Sequence, residues 1–307
     1  MNLFDYRTRA VRDLAWAIGS PPLYRPTAST FAHWPTFDEC REVLTGLRPW
    51  LAALDARPAA FLQYIEARPT RRLGQYFETL IAFWLAHGPY TALRAQNMAV
   101  HEGKATVGEL DFVYGAYTPG ATTTVHLEVA VKFYLRVDMA ADASAYIGPG
   151  LRDRFDLKLA KLRDAQSSRS THPAAQDMLR DRGLVIDRAM VWLKGVLFEP
   201  WCAPAENGVA RRVDGVPSTS LKGVWMTVDQ LKTFDVDGEW FALERLQWLS
   251  GPADDQSALP RDALMAVVAE SGRPVQVMLR TSAGLRRFFL VPNDFLERAQ
   301  LRLVKAP

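Results

Sequence analysis

Two short stretches carry the residue types that do chemistry. They are Gly108-Glu109-Leu110-Asp111-Phe112 and His126-Leu127-Glu128-Val129-Ala130-Val131-Lys132-Phe133-Tyr134, and both read as β-strands. Successive side chains of a strand alternate between faces. Glu109 and Asp111 therefore share one face of the first strand, and Glu128, Ala130 and Lys132 share one face of the second. The residues between Glu128 and Lys132 are all apolar, which marks that strand as buried. A buried carboxylate or ammonium must be paired, hydrogen-bonded or bound to metal. Two carboxylates from neighbouring strands and a lysine can hold a hard divalent cation through oxygen ligands and organise a water against a phosphodiester. An ion pair of Glu128 with Lys132 or Arg136 answers the same burial constraint, and the residues alone leave both readings open.

The surrounding sequence supplies the elements that must position these groups. Upstream, Val11–Ile18, Phe37–Leu47, Trp50–Leu54 and Ala59–Ala67 read as helices, the second and third interrupted by Gly46 and Pro49. A stronger helix is expected over Arg71–His87. Leu73, Phe77, Leu80, Ile81 and Trp84 fall at helical spacing, and Gly88-Pro89 stops it. Strands are expected at Leu93–Val100, Gly108–Tyr114 and Thr124–Tyr134, with a turn-rich link over Gly115–Thr124 and an irregular loop over Leu135–Gly150. Leu151–Ala165 reads as an amphipathic helix with Leu151, Phe155, Leu159 and Leu162 on one face. Ala189–Phe198 reads as a buried strand, Ala203–Ser220 as a loop, and Val224–Val228 as a strand. Trp240–Trp248 fits strand or helix, Asp262–Glu270 is helical, and Val275–Arg280 with Arg286–Val291 flank the chain's plainest hairpin turn. The pattern is α/β (α+β), with a mixed central sheet flanked by helices.

The order of these motifs resembles the PD-(D/E)XK nuclease superfamily, whose restriction-endonuclease-like core has a helix with a glutamate, a strand with an aspartate, a strand with Glu-x-Lys and a further helix. The matching positions are Glu78, Asp111, Glu128 and Lys132. A closer resemblance is to a bacterial family catalogued as domain-of-unknown-function family 1853, itself placed among PD-(D/E)XK-like folds. It rests on Leu73-Gly74-Gln75-Tyr76-Phe77-Glu78, Gly108-Glu109-Leu110-Asp111, Glu128 to Leu135, and Ile147-Gly148-Pro149-Gly150 continuing to Ala160, with Lys194 to Phe198 and Leu221 to Trp225. It spans nearly the whole chain. It implies a nuclease-like core at 71–200, a helical N-terminal region at 1–70 and a β-rich C-terminal extension at 201–307.

One departure stands out. Glu-x-Lys places the lysine two residues past the glutamate, about 6.6 Å along the strand, and Ala130 occupies that slot here. Lys132 lies four residues on, about 13 Å away along the strand. Lys158, in the basic stripe Arg154–Lys158–Lys161 of the following helix, is an alternative donor. The resemblance implies a Mg²⁺- or Mn²⁺-dependent phosphodiesterase acting on DNA or RNA. Asp111, Glu128 and Glu78 would hold the metal, and Lys132 or Lys158 would orient the attacking water. Glu109, Gln75, Arg154 and Lys161 would stand around that centre or towards the substrate. Ala130 favours a second reading, an inactive nuclease-like fold that binds nucleic acid or protein. A third is a component whose C-terminal half docks on another protein.

Composition excludes other classes. The 307 residues carry 37 Lys plus Arg against 34 Asp plus Glu, a formal charge of +3, so no broad basic coat advertises nucleic acid. Two cysteines far apart, Cys40 and Cys202, exclude a disulfide scaffold and a thiolate zinc site, and fit a reducing cytoplasm. No leader segment and no membrane span is expected. His33, His87, His101, His126 and His172 show no metal spacing and read as structural or exposed. No P-loop, dinucleotide fingerprint or nucleophile-elbow motif is present.

Overall fold

The computed structural model describes residues 6–201 and 213–304. Cys202 and most of the expected loop after it lie outside the described residues, as do the first five residues. In chain order the elements are α1 (Arg9–Gly19), α2 (Phe37–Ala56), α3 (Ala59–Glu66), α4 (Leu73–His87), β1 (Thr91–Glu102), β2 (Ala105–Thr118), β3 (Ala121–Arg136), β4 (Tyr146–Ile147), α5 (Phe155–Ala160), α6 (Pro173–Asp181), β5 (Arg188–Pro200), β6 (Lys222–Thr227), α7 (Val228–Thr233), β7 (Glu239–Ala242), α8 (Arg261–Ser271), β8 (Val275–Thr281), β9 (Gly284–Val291) and α9 (Phe295–Val304). A π-helical turn, Lys161–Gln166, continues α5, and a 3₁₀ turn, Arg169–Thr171, precedes α6. Contacts divide the chain into two units. One is Met1–Val131 with Leu159–Lys194, and the other is Lys132–Lys158 with Gly195–Pro307.

In the first unit β1, β2 and β3 form an antiparallel run. α4 is buried along most of its length, from Leu73 through Tyr76, Phe77, Leu80 and Ile81 to Leu85, and Trp84 stacks on Trp192 of β5 with centroids 5.3 Å apart. α2 corrects the expectation of two short helices. It runs unbroken through Pro49, because Cys40, Leu44, Leu47 and Leu51 form one buried stripe that continues past the proline. That burial outweighs the roughly 3 kcal/mol a mid-helix proline costs. Thr36 and Glu39 close a capping box at its start. α6 was not expected from the sequence. Its Ala175 and Leu179 cover Met98, Val100, Leu110 and Val113.

In the second unit the strand order is β5-β6-β9-β8-β7. β5–β6 and β6–β9 are parallel, while β9–β8 and β8–β7 are antiparallel, so the sheet is mixed. β4 pairs with the end of β3. The core is Met226, Leu231, Phe234, Trp240, Phe288 and Leu290. The expected hairpin forms with Thr281 opposite Gly284. Trp240–Trp248 resolves into strand followed by a 3₁₀ turn. The helix expected over Leu151–Ala165 is α5 alone. Leu151 lies before it with φ 57°, and the π turn follows it. Gly195 has φ 148°, and a Cβ there would stand 1.7 Å from the Lys132 carbonyl oxygen, so only glycine fits.

The chain is therefore a mixed α/β protein with helices flanking its sheet strands. Among the described residues no helix is long and apolar enough to cross a membrane.

Candidate functional site

The ladder between β2 and β3 runs from Thr118–Ala121 to Phe112–Leu127 and then stops. Continued one step further, that register would set Asp111 opposite Glu128. There the Asp111 carboxylate, through Oδ2, accepts the Val129 main-chain N–H at 2.9 Å. On the other side of β2 the ladder with β1 steps from Gln96–Phe112 to Met98–Leu110, and Asn97 between them has φ 51°. Asparagine tolerates that left-handed conformation. The paired ladder thus ends one residue short of Asp111, which meets β3 at the Val129 main chain.

Glu128 is fully buried. Its Oε1 lies 3.0 Å from His126 Nε2, and its Oε2 accepts from Gln166 Nε2 at 2.8 Å. His126 Nδ1 lies 3.2 Å from Ser170 Oγ. With Glu128 ionised, the network assigns the proton to Nε2, which donates, and Nδ1 accepts from the serine hydroxyl. Strand parity places His126 and Glu128 on one face, so this neighbour was legible. Gln166 and Ser170 come from the turns after α5, and nothing in their spacing announces them. Both ion-pair alternatives for Glu128 are corrected. Lys132 pairs with Asp153, which also accepts from the Tyr134 hydroxyl at 3.2 Å, and Arg136 stands 3.6 Å from Glu199. Burial, helped by Asp153, pushes the Tyr134 hydroxyl pKa far up, so it stays a donor.

Glu78 is half-buried on α4. Gln75 is exposed and accepts from Thr70. Glu109 is exposed, and its carbonyl takes Arg169 Nη1 at 3.0 Å. Gly108 has φ 157°, a conformation that favours glycine, and the Arg169 guanidinium packs against it. Arg154 grips Asp156 through two nitrogens. Lys161 is exposed and Lys158 half-buried.

A Mg²⁺ or Mn²⁺ ion asks for about six oxygen ligands, several of them water. Glu128 offers no access to water, and each of its oxygens already accepts a hydrogen bond. Among the described residues no three His, Cys, Asp or Glu side chains form a group able to hold a metal ion. As arranged, the carboxylates do not fit such an ion, and what they do instead is anchor β3 and the turns after α5.

The same unit contains a cleft of about 480 Å³. Arg25, Phe31, Trp34, Ser170, Gln176 and Arg188 are among the residues lining it. Ser170 thus lies both at this cleft and in the Glu128 network.

A family model described as a domain of unknown function (DUF1853) matches residues 12–283. No curated protein and no solved structure matches the chain.

Proposed function

This chain belongs to the DUF1853 family, and from that premise we propose that it is a non-cleaving nucleic-acid-binding module on a PD-(D/E)XK-like framework. The framework reading is supported by the order of parts: a helix, three antiparallel strands with Asp111 on the second and Glu128 on the third, then helices and β5. The nucleic-acid part of the proposal comes from the resemblance to the nuclease superfamily, and its non-cleaving part is carried by one observation. Glu128, the residue on which metal-assisted hydrolysis would depend, is sealed from solvent with both oxygens engaged by His126 and Gln166. Ala130 in the usual lysine slot and the engagement of Lys132 by Asp153 agree with it.

A second reading, metal-dependent phosphodiester cleavage, is favoured by the Asp111 carboxylate meeting the main chain of Val129, the residue after Glu128, just past the end of the β2–β3 ladder. One experiment separates the two. Labelled single- and double-stranded DNA and RNA are titrated with wild type and Asp111→Ala at several salt concentrations, and the same substrates are incubated with Mg²⁺ and with Mn²⁺. The expected result is binding that weakens steeply with salt, differs less than about two-fold between the proteins, and leaves the substrates uncut. Metal-dependent cutting that Asp111→Ala abolishes replaces the first reading with the second. Absence of binding at low salt, with no cutting, removes both.

A further inference from the structure

We infer that the cleft lined by Arg25, Phe31 and Arg188 binds a phosphate ester carrying a base, as one nucleotide of a single strand or as a free nucleotide. This rests on the nucleic-acid-binding reading and names where the ligand sits. The cleft, about 480 Å³, lies within the range of about 300–1,000 Å³ usual for small-ligand sites.

Its chemistry comes from groups left over by the fold. Arg188, exposed at the start of β5, has no hydrogen-bonded or carboxylate partner among the described residues. Arg25 spends only its Nε, on the Trp34 carbonyl at 3.0 Å, which fixes the guanidinium plane and leaves its terminal nitrogens to donate. Two such guanidinium groups suit a phosphate, which each can meet with paired N–H donors. The acidic neighbour Asp187 is already turned to the Thr124 main-chain N–H at 2.7 Å, and His33 is held by Glu39 at 2.8 Å.

The aromatic part of the ligand has its own counterpart. Phe31, in the cleft lining, is 61% exposed, so its ring is available for a base to stack on. Trp34, also in the lining, is buried and forms part of the cleft wall. Ser170 joins this cleft to the Glu128 network, which places the site beside the residues the family motifs converge on.

The test uses the full chain, with adenosine 5′-monophosphate, inorganic phosphate and a labelled oligothymidine as probes, on wild type, Arg25→Ala, Arg188→Ala and Phe31→Ala. Melting curves confirm that each variant folds. Each arginine variant is expected to weaken all three probes by about ten-fold. Phe31→Ala is expected to weaken the mononucleotide and the oligonucleotide by about five-fold or more and to leave phosphate unchanged. An oligonucleotide held much more tightly than the mononucleotide identifies a strand as the source, and equal affinities identify a free nucleotide. Oligonucleotide binding that no cleft variant alters overturns the cleft while the binding-module reading survives. Mononucleotide binding lost in the arginine variants, with no oligonucleotide binding, does the reverse. No binding of any probe overturns both.

Discussion

Glu128 and Lys194, in the first unit, are buried charges answered by dipoles. Glu128 takes N–H groups from His126 and Gln166. Lys194, 1% exposed, donates to the carbonyls of Ile18 and Ser20 at the end of α1 and lies 3.2 Å from Cys40 Sγ. Its cation therefore sits where the helix dipole is negative. The second unit answers Lys132 with the opposite charge of Asp153 at a half-exposed position, and buried Arg136 with Glu199 as well as the carbonyls of Asp138 and Ala140. The difference teaches which charges the fold depends on. A charge held by dipoles in the core leaves several orphaned groups when removed. A half-exposed ion pair leaves its survivor to the solvent.

Substitutions probe that contrast directly. Lys194→Ala should have the largest effect, about 3–5 kcal/mol, since it opens a cavity and strands two helix-end carbonyls. The corresponding fall in melting temperature is about 5–8 °C. Glu128→Ala follows at about 3 kcal/mol by denaturant titration, and Glu128→Gln at about 1–2, because the amide keeps one acceptor. Arg136→Met should cost about 2 kcal/mol, as it frees the carbonyls of Asp138 and Ala140 along with Glu199. Lys132→Ala should cost at most about 1 kcal/mol and less in high salt. If Lys132→Ala destabilises as much as Lys194→Ala, the contrast is wrong.

The smallest effect concerns pH. Burial holds the Lys194 pKa below the ordinary lysine value of 10.5. An unfolded chain keeps that proton to a higher pH than the folded one does, so it binds more protons in the window between the two values. Folding should therefore gain stability as pH climbs through that window towards 10.5. Denaturation of wild type and Lys194→Met in parallel should show the difference moving in favour of wild type as pH rises. A constant difference would show that Lys194 keeps its proton throughout.

Much of the framework was written in local pattern. The apolar spacing of α4 and its Gly88 stop, the alternation of β2 and β3, and the turn before Gly284 all declare themselves within a few residues. α2 was misread because Pro49 outvoted a stripe, Cys40–Leu44–Leu47–Leu51, whose period runs straight through it. α6 was overlooked although Pro173 at its first turn and the Ala175–Leu179 spacing are signals of a helix start and a buried face. The site was legible only in part. Asp111 and Glu128 stand out by type and parity. Gln166, which bonds Glu128, and Ser170, which bonds His126, arrive from about 40 residues away through a π turn and a 3₁₀ turn, whose irregular hydrogen bonding leaves no periodic trace.

The interleaving of the two units has a consequence for how the chain acquires its shape and how it can be cut. The stretch Lys132–Lys158 is an excursion out of the first unit, and Leu159–Lys194 is an excursion out of the second. No contiguous fragment holds either unit without carrying residues of the other. Contacts must close across both excursions, which raises contact order and slows folding relative to two tandem domains of the same size. Truncation at any one point splits a unit or leaves it with a foreign insert. A deletion phenotype in this protein therefore reports on the whole fold, and point substitutions are the means of separating one function from another.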